Sequence, residues 1–249
     1  MVAANLVCVH MAAFALLPPA VWPPPRAVTC TGASGPTISS ELQITLIGGS
    51  NDVARAATAR YLPLLKEHST ERADAIKDIH VNVTTSSDTL DHTTDYSYSI
   101  TTANGMLAIQ AESPYAVAYA LETLSQFIEA KNGALSCSSL AIHDGPAFLH
   151  RGIMIDTGRR FYPVALVKQT IEGMAMTKQN VLHFHLSEEC FRVQSEVYPQ
   201  LTAACVDKSK LENTAFYSKQ DIADIVAFAR LRGVRVLPEF DMVSLPLLF

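Results

Sequence analysis

Several polar residues stand at the ends of short apolar runs, where they could do chemistry. Arg151 immediately precedes Gly-Ile-Met-Ile, and His183 and His185 alternate with Leu182, Phe184 and Leu186. Glu188 and Glu189 follow the same run, and Glu239 and Asp241 flank Phe240. A guanidinium at Arg151 can donate paired hydrogen bonds to neighbouring hydroxyls of a ligand. It can equally be an ion-paired arginine at a strand edge. Two histidines two residues apart share one face of a strand. They could ligate a metal, but a third ligand is needed and none is indicated. Polar residues satisfied in an interior are the plainer reading of the pair. Adjacent carboxylates in a loop are usually solvated. At the C-terminal end of a barrel strand they belong instead to a site. Glu239 and Asp241 share a face, so one pocket could hold both. Converging beside Arg151, they would form a charge network able to orient a polar ligand.

Those residues need strands to position them. From His150 onward the rhythm is strand, helix, strand, helix, strand. Ile153 to Ile155 and Val181 to Leu186 read as apolar strands, and Val234 to Phe240 as a third. Between them, Pro163 opens a helix with Val164, Val167, Ile171 and Met174 on one face. Ser218-Lys219-Gln220-Asp221 resembles a capping box ahead of Ile222, Ile225, Val226 and Ala229, and Gly233 ends that helix. Such alternation implies parallel strands with right-handed crossovers. Both a doubly wound sheet and a barrel fit. No Gly-x-Gly-x-x-Gly follows any strand, which disfavours dinucleotide binding.

The preceding half reads as α+β. Ile44 and Leu46 suggest a strand before Gly48-Gly49, and Val53, Ala57, Tyr61 and Leu64 recur at helical spacing. Ile79, Val81 and Val83 alternate with His80, Asn82 and Thr84, as in a half-buried strand. Tyr96, Tyr98 and Ile100 lead through Asn104-Gly105, a hairpin signal, to Leu107, Ile109 and Ala111. Ser113-Pro114 then caps a helix with Val117, Leu121, Leu124 and Ile128 on its buried face. A short strand near Ser139 to Ile142 closes a compact domain of helices packed on a largely antiparallel sheet.

Of the 249 residues, 49% are apolar and 17% charged, enough to bury a core. The net charge is -5 with no basic run, which argues against nucleic acid as the main partner. Residues 1–21 have no Lys or Arg and contain Ala-Ala-Phe-Ala-Leu-Leu ahead of Pro18-Pro19. The run is short for a membrane span. It reads as a signal peptide or uncleaved signal-anchor, with a mis-started reading frame or a plain apolar arm as the other readings. The cysteines Cys8, Cys30, Cys137, Cys190 and Cys205 match no zinc spacing. The last four could pair, but spacing specifies no connectivity, and at least two suit free buried thiols. One sequon, Asn82-Val83-Thr84, fits a secreted or lysosomal route.

Three blocks now carry a resemblance. His-Arg-Gly-Ile-Met-Ile-Asp-Thr-Gly-Arg-Arg-Phe-Tyr-Pro-Val from His150 resembles the opening barrel strand of β-N-acetylhexosaminidases, glycoside hydrolase family 20. Lys-Gln-Asn-Val-Leu-His-Phe-His-Leu from Lys178 and Ala-Arg-Leu-Arg-Gly-Val-Arg-Val-Leu-Pro-Glu-Phe-Asp from Ala229 resemble its next two conserved segments, in the family's order. Trp22-Pro23-Pro24-Pro25 and Leu121-Glu122-Thr123-Leu124-Ser125-Gln126-Phe127 resemble its small α+β domain. The resemblance implies a leader over 1–21, an α+β domain over 22–145, and the first three β/α units of an incomplete TIM barrel over 146–249. It implies removal of terminal N-acetylglucosamine or N-acetylgalactosamine from glycans. The substrate's own acetamido oxygen attacks the anomeric carbon, an Asp orients that acetamide and a Glu protonates the leaving oxygen. It assigns substrate contacts to Arg151, Glu188 (where Asp is commoner) and Asp241. It implies no cofactor and no metal, a secretory, lysosomal or extracellular location, and a homodimer as one assembly of the full-length family member.

The chain also departs from the pattern. The family follows Glu-Phe-Asp-Met with Pro-Gly-His, whereas here Met242 precedes Val243-Ser244-Leu245-Pro246-Leu247-Leu248-Phe249. The family's catalytic Asp-Glu dipeptide occurs nowhere in the sequence. The expectation is therefore a catalytically incomplete N-terminal part of such an enzyme. The alternative is a natural short form that binds or scaffolds without catalysis.

Overall fold

A computed structural model describes residues 21–241 except 33, 50, 73, 104, 189 and 207–215. The expected leader, Glu189, Asn104 of the hairpin signal and the tail after Asp241 lie outside the described residues. The fold is mixed α/β, in two units. The first holds the described residues up to 147, apart from 90–92, and the second holds 90–92 and those from 148 onward.

The first unit is built on a six-stranded sheet. Its strands are β1 (Ala27–Thr31), β2 (Ile38–Gly48), β3 (Ile76–Val83), β4 (Tyr98–Ala103), β5 (Met106–Ala111) and β6 (Ser139–Asp144), in the order β1-β6-β4-β5-β3-β2. β3 pairs in parallel with both β2 and β5, while the other neighbours are antiparallel. The sheet is thus more mixed than the sequence pattern suggests. β4 and β5 form the expected hairpin, with Gly105 at φ +75°. Helix α1 (Asp52–Lys66) is capped by Asn51, whose side chain accepts from the N–H groups of Val53 and Ala54. Helix α2 (Pro114–Gln126) starts as expected, with Ser113 as cap and Pro114 in the first turn. The two helices pack together, and Tyr61 Oη donates to Glu122 at 2.7 Å. Ile79, Val81, Ile100, Leu107 and Ile109 are fully buried in the core. Cys30 and Cys137 are joined in a disulfide with a Cα–Cα distance of 5.6 Å. Cys190 is a free buried thiol.

The second unit has three parallel strands, β7 (Gly152–Asp156), β8 (Val181–Ser187) and β9 (Arg235–Phe240), with β8 in the middle. Helices α3 (Val164–Met176), α4 (Gln200–Val206) and α5 (Lys219–Arg230) complete it. Val167, Ile171 and Met174 of α3 and Ile225 and Ala229 of α5 share a core with Leu182, Phe184 and Leu186 of β8. The even residues of β8 therefore face the helices, so His183 and His185 face the other way. Register places Met154, His183 and Leu237 in one row of that helix-free face, and Asp156, His185 and Glu239 in the next. No described helix is long and apolar enough to cross a membrane.

Candidate functional site

The C-terminal ends of β7, β8 and β9 bring ionisable residues together. Asp156 ends β7, and Thr157-Gly158-Arg159 turns back over the end of β8. That turn requires a small residue, because a Cβ on Gly158 would lie 2.7 Å from the backbone nitrogen of Glu188. Thr157 is held in place by its N–H and hydroxyl, which donate to the His185 carbonyl at 2.9 and 2.8 Å. The buried Arg192 donates from Nε to the Thr157 carbonyl at 3.1 Å. A register shift between His185 and Ser187 pairs Ser187 with Phe240. Bulges of this kind re-aim the residues that follow, here Glu188.

Arg159 joins the first two strand ends. Its Nη1 donates to Asp156 Oδ2 at 2.5 Å, and its Nη2 donates to Glu188 Oε1. Its backbone N–H donates to Asp156 Oδ1 at 3.2 Å. Burial alone would raise the Asp156 pKa. The hydrogen bonds and charge of Arg159, with the nearby His185, outweigh it and hold the carboxyl below the ordinary carboxylate range. The hydrogen bond to Asp156 raises the Arg159 pKa further, so the guanidinium stays charged. Its side chain is 60% exposed, which leaves the remaining N–H groups facing solvent.

His185 links the outer two strand ends. Its Nδ1 lies 3.3 Å from Asp156 Oδ1 and its Nε2 lies 3.5 Å from Asp241 Oδ2. The ring is buried, and Nε2 has no hydrogen-bond partner of good geometry. Glu188 Oε2 is likewise a buried oxygen without a partner. Such atoms are uncommon in folded proteins. One row lower, His183 Nε2 and Glu239 Oε2 are 2.6 Å apart, so the two carboxylates flanking Phe240 have separate histidine partners.

Asp156, His185 and Glu188 each offer a ligand atom within 4.8 Å of the others, a spacing a metal ion can use. Arg159 already donates to both of these carboxylates, so the positive charge at that point is the guanidinium. The geometry therefore suits a polar ligand better than a dication.

Two of the three expected contact residues, Glu188 and Asp241, lie at these strand ends. Arg151 does not, which corrects its expected place beside the carboxylates. It precedes β7, so Asp156 lies five residues on, about 16 Å along the strand. Its Nε donates to the Lys178 carbonyl at 2.8 Å and its Nη1 to the Phe148 carbonyl at 2.6 Å. Both carbonyls belong to the N-terminal ends of the strands, where Arg151 fastens the chain before β7 to the turn before β8. Arg159, in the same sequence block, occupies the position expected of Arg151. It could have been found from strand direction alone, because it follows β7.

Residues 148–244 match the profile of the glycosyl hydrolase family 20 catalytic domain. This stretch of the chain is similar to that catalytic domain. The chain is 31% identical over 255 residues to beta-hexosaminidase subunit beta of Mus musculus, covering 95% of this chain and 47% of that protein. It is 41% identical over 137 residues to beta-hexosaminidase A of Caenorhabditis elegans, covering 54% of this chain and 24% of that protein. Among solved structures, the Flavobacterium johnsoniae chitobiase aligns with TM-score 0.76 and 25% identity, over 89% of this chain and 34% of that one. A glycoside hydrolase family 20 beta-N-acetylglucosaminidase aligns with TM-score 0.67 and 29% identity, over 90% of this chain and 43% of that one. The chain thus spans about half or less of the length of the relatives it matches.

Proposed function

We propose that the chain forms part of the sugar-binding wall of a β-N-acetylhexosaminidase. In this reading the second unit supplies the first three β/α units of a TIM barrel. The observation that carries it is the charged bridge at the strand ends: Arg159 joins Asp156 to Glu188 while His185 stands between Asp156 and Asp241. A fixed guanidinium with spare N–H donors suits the adjacent hydroxyls of a pyranose. Glu188 Oε2 and His185 Nε2 are buried polar atoms without a good hydrogen-bond partner beside that bridge. Glu188 serves where the family commonly has Asp, and Asp241 supports the far side of His185.

The ligand class is a terminal N-acetylglucosamine or N-acetylgalactosamine of a glycan. In the substrate-assisted retaining mechanism the acetamido oxygen attacks the anomeric carbon while a protonated carboxylic acid donates to the leaving oxygen. The residues of this chain bind and orient the sugar and exclude water from one side of it. No Asp-Glu dipeptide is present to orient the acetamide and protonate the leaving group. We infer that these 249 residues by themselves bind but do not hydrolyse. The Cys30–Cys137 disulfide supports a secretory location, since such bonds persist in oxidising compartments.

The test is the purified 249-residue chain with an aryl N-acetylglucosaminide and, separately, calorimetric titration with N-acetylglucosamine. Saturable binding without aryl release above a buffer blank is expected. Turnover would overturn the inactivity, and absence of binding would overturn the sugar wall.

A further inference from the structure

We propose that Asn82 carries an N-linked glycan on the exposed face of strand β3 in the first unit's sheet. Asn82-Val83-Thr84 is the single Asn-x-Ser/Thr tripeptide in the sequence. Asn82 stands near the end of β3, an interior strand between β2 and β5. Alternation along β3 sends Ile79, Val81 and Val83 into the core, and leaves His80, Asn82 and the following Thr84 exposed. Both side chains that define the acceptor therefore stand on the same accessible surface. In register, Asn82 lies between Ile47 and Gln110.

The local hydrogen bonds are compatible with the modified side chain. Asn82 Nδ2 donates to Gln110 Oε1 at 2.7 Å, and Gln110 Nε2 donates to Thr84 Oγ1 at 2.8 Å. A carboxamide nitrogen carries two hydrogens, and Gln110 engages one. Transfer replaces the other with the anomeric carbon of the first sugar, so the bond to Gln110 survives in the folded product. A lipid-diphosphate-linked oligosaccharide is the donor. The new bond joins Asn82 Nδ2 to the anomeric carbon, the bond from that carbon to the diphosphate oxygen breaks, and the nitrogen gives up one proton. In the folded sheet Gln110 holds the acceptor nitrogen, so transfer belongs to the stage before β3 pairs.

A second observation supports the route. The same unit holds the Cys30–Cys137 disulfide, which forms in an oxidising compartment of the secretory pathway. A glycan at this place covers Ile47, 46% exposed on the neighbouring strand. It also keeps the open sheet face from docking against another sheet. The inference rests on the secretory part of the proposed function and is independent of sugar binding at the strand ends.

The experiment is expression of the full chain in eukaryotic cells, with digestion by a peptide N-glycosidase and thiol alkylation run in parallel. A single mobility shift is expected, lost in Asn82→Gln and Thr84→Ala and kept in Thr84→Ser. The conservative variant separates loss of the acceptor from loss of folding. An unshifted chain with Cys30 and Cys137 protected from alkylation overturns the glycan site alone. An unshifted chain with both thiols free overturns the site together with the secretory route.

Discussion

Arg159 decides how the strand-end carboxylates are arranged. Asp156 and Glu188 lie on different strands, and without a cation between them their charges would repel. Arg159→Ala is therefore expected to weaken N-acetylglucosamine binding at least tenfold in calorimetric titration. Arg151→Ala makes the opposite prediction. Its guanidinium donates to the carbonyls of Phe148 and Lys178, so its loss should lower the urea midpoint and leave sugar affinity unchanged. Asp156 adds a pH signature. Its folded-state pKa lies below the ordinary value of 3.8, so its charge stabilises the fold at pH above that value. This contribution is lost as pH falls through the lowered folded-state value. The stability gap between the wild type and Asp156→Asn should stay level at neutral pH and shrink only in acid below 3.8. A gap that stays unchanged in acid below 3.8 would contradict the lowered Asp156 pKa.

Secondary-structure elements position these residues by means that are partly local and partly not. Helix α5 begins with a full capping box: Asp221 N–H donates to Ser218 Oγ at 3.1 Å and Ser218 N–H donates to Asp221 Oδ2 at 2.8 Å. This was legible in the sequence, because both partners lie within one turn. Ser218→Ala should cost about 1 kcal/mol of stability, read from the denaturant midpoint. The turn after β7 depends instead on the strand beside it. Gly158→Ala would set a Cβ 2.7 Å from the Glu188 nitrogen, a backbone atom that cannot move aside freely. It should lower both thermal stability and sugar affinity, whereas an alanine at Gly173, where a Cβ meets nothing, should lower neither. Strand β1 was not legible. Its residues alternate between exposed and half-buried, with no buried row to mark them as a strand. Only pairing with β6 defines it.

Across the molecule, the disulfide is a long-range covalent constraint. Cys30 and Cys137 are 107 positions apart, and the bond closes a loop holding most of the first unit. Cys137→Ser is expected to lower unfolding stability by about 4 kcal/mol in the oxidised protein, measured by denaturant titration. Under reducing conditions the two forms should converge. The pairing arises because β1 lies against β6, with Cys30 opposite Leu140 and Cys137 just ahead of that strand. Spacing along the chain carries no trace of that adjacency.

What the sequence determined by itself is whatever near neighbours encode. The alternation of Ile79, Val81 and Val83, the caps at Ser113 and Ser218, and the strand–helix rhythm after His150 depend on residues a few positions apart. The three family blocks were legible for the same reason, and they placed Glu188 and Asp241 at strand ends. Strand direction separates the two arginines, and the tertiary structure shows Arg159 joining Glu188 to Asp156. Arg151 and Arg159 lie in one block, eight positions apart, but β7 runs between them and sends them to opposite ends of the sheet. Only the tertiary structure also seated His185 between Asp156 and Asp241, residues from the two flanking strands. Hydrogen bonding between parallel strands sets such meetings, and it joins residues whose separation in sequence carries no information about their distance in space.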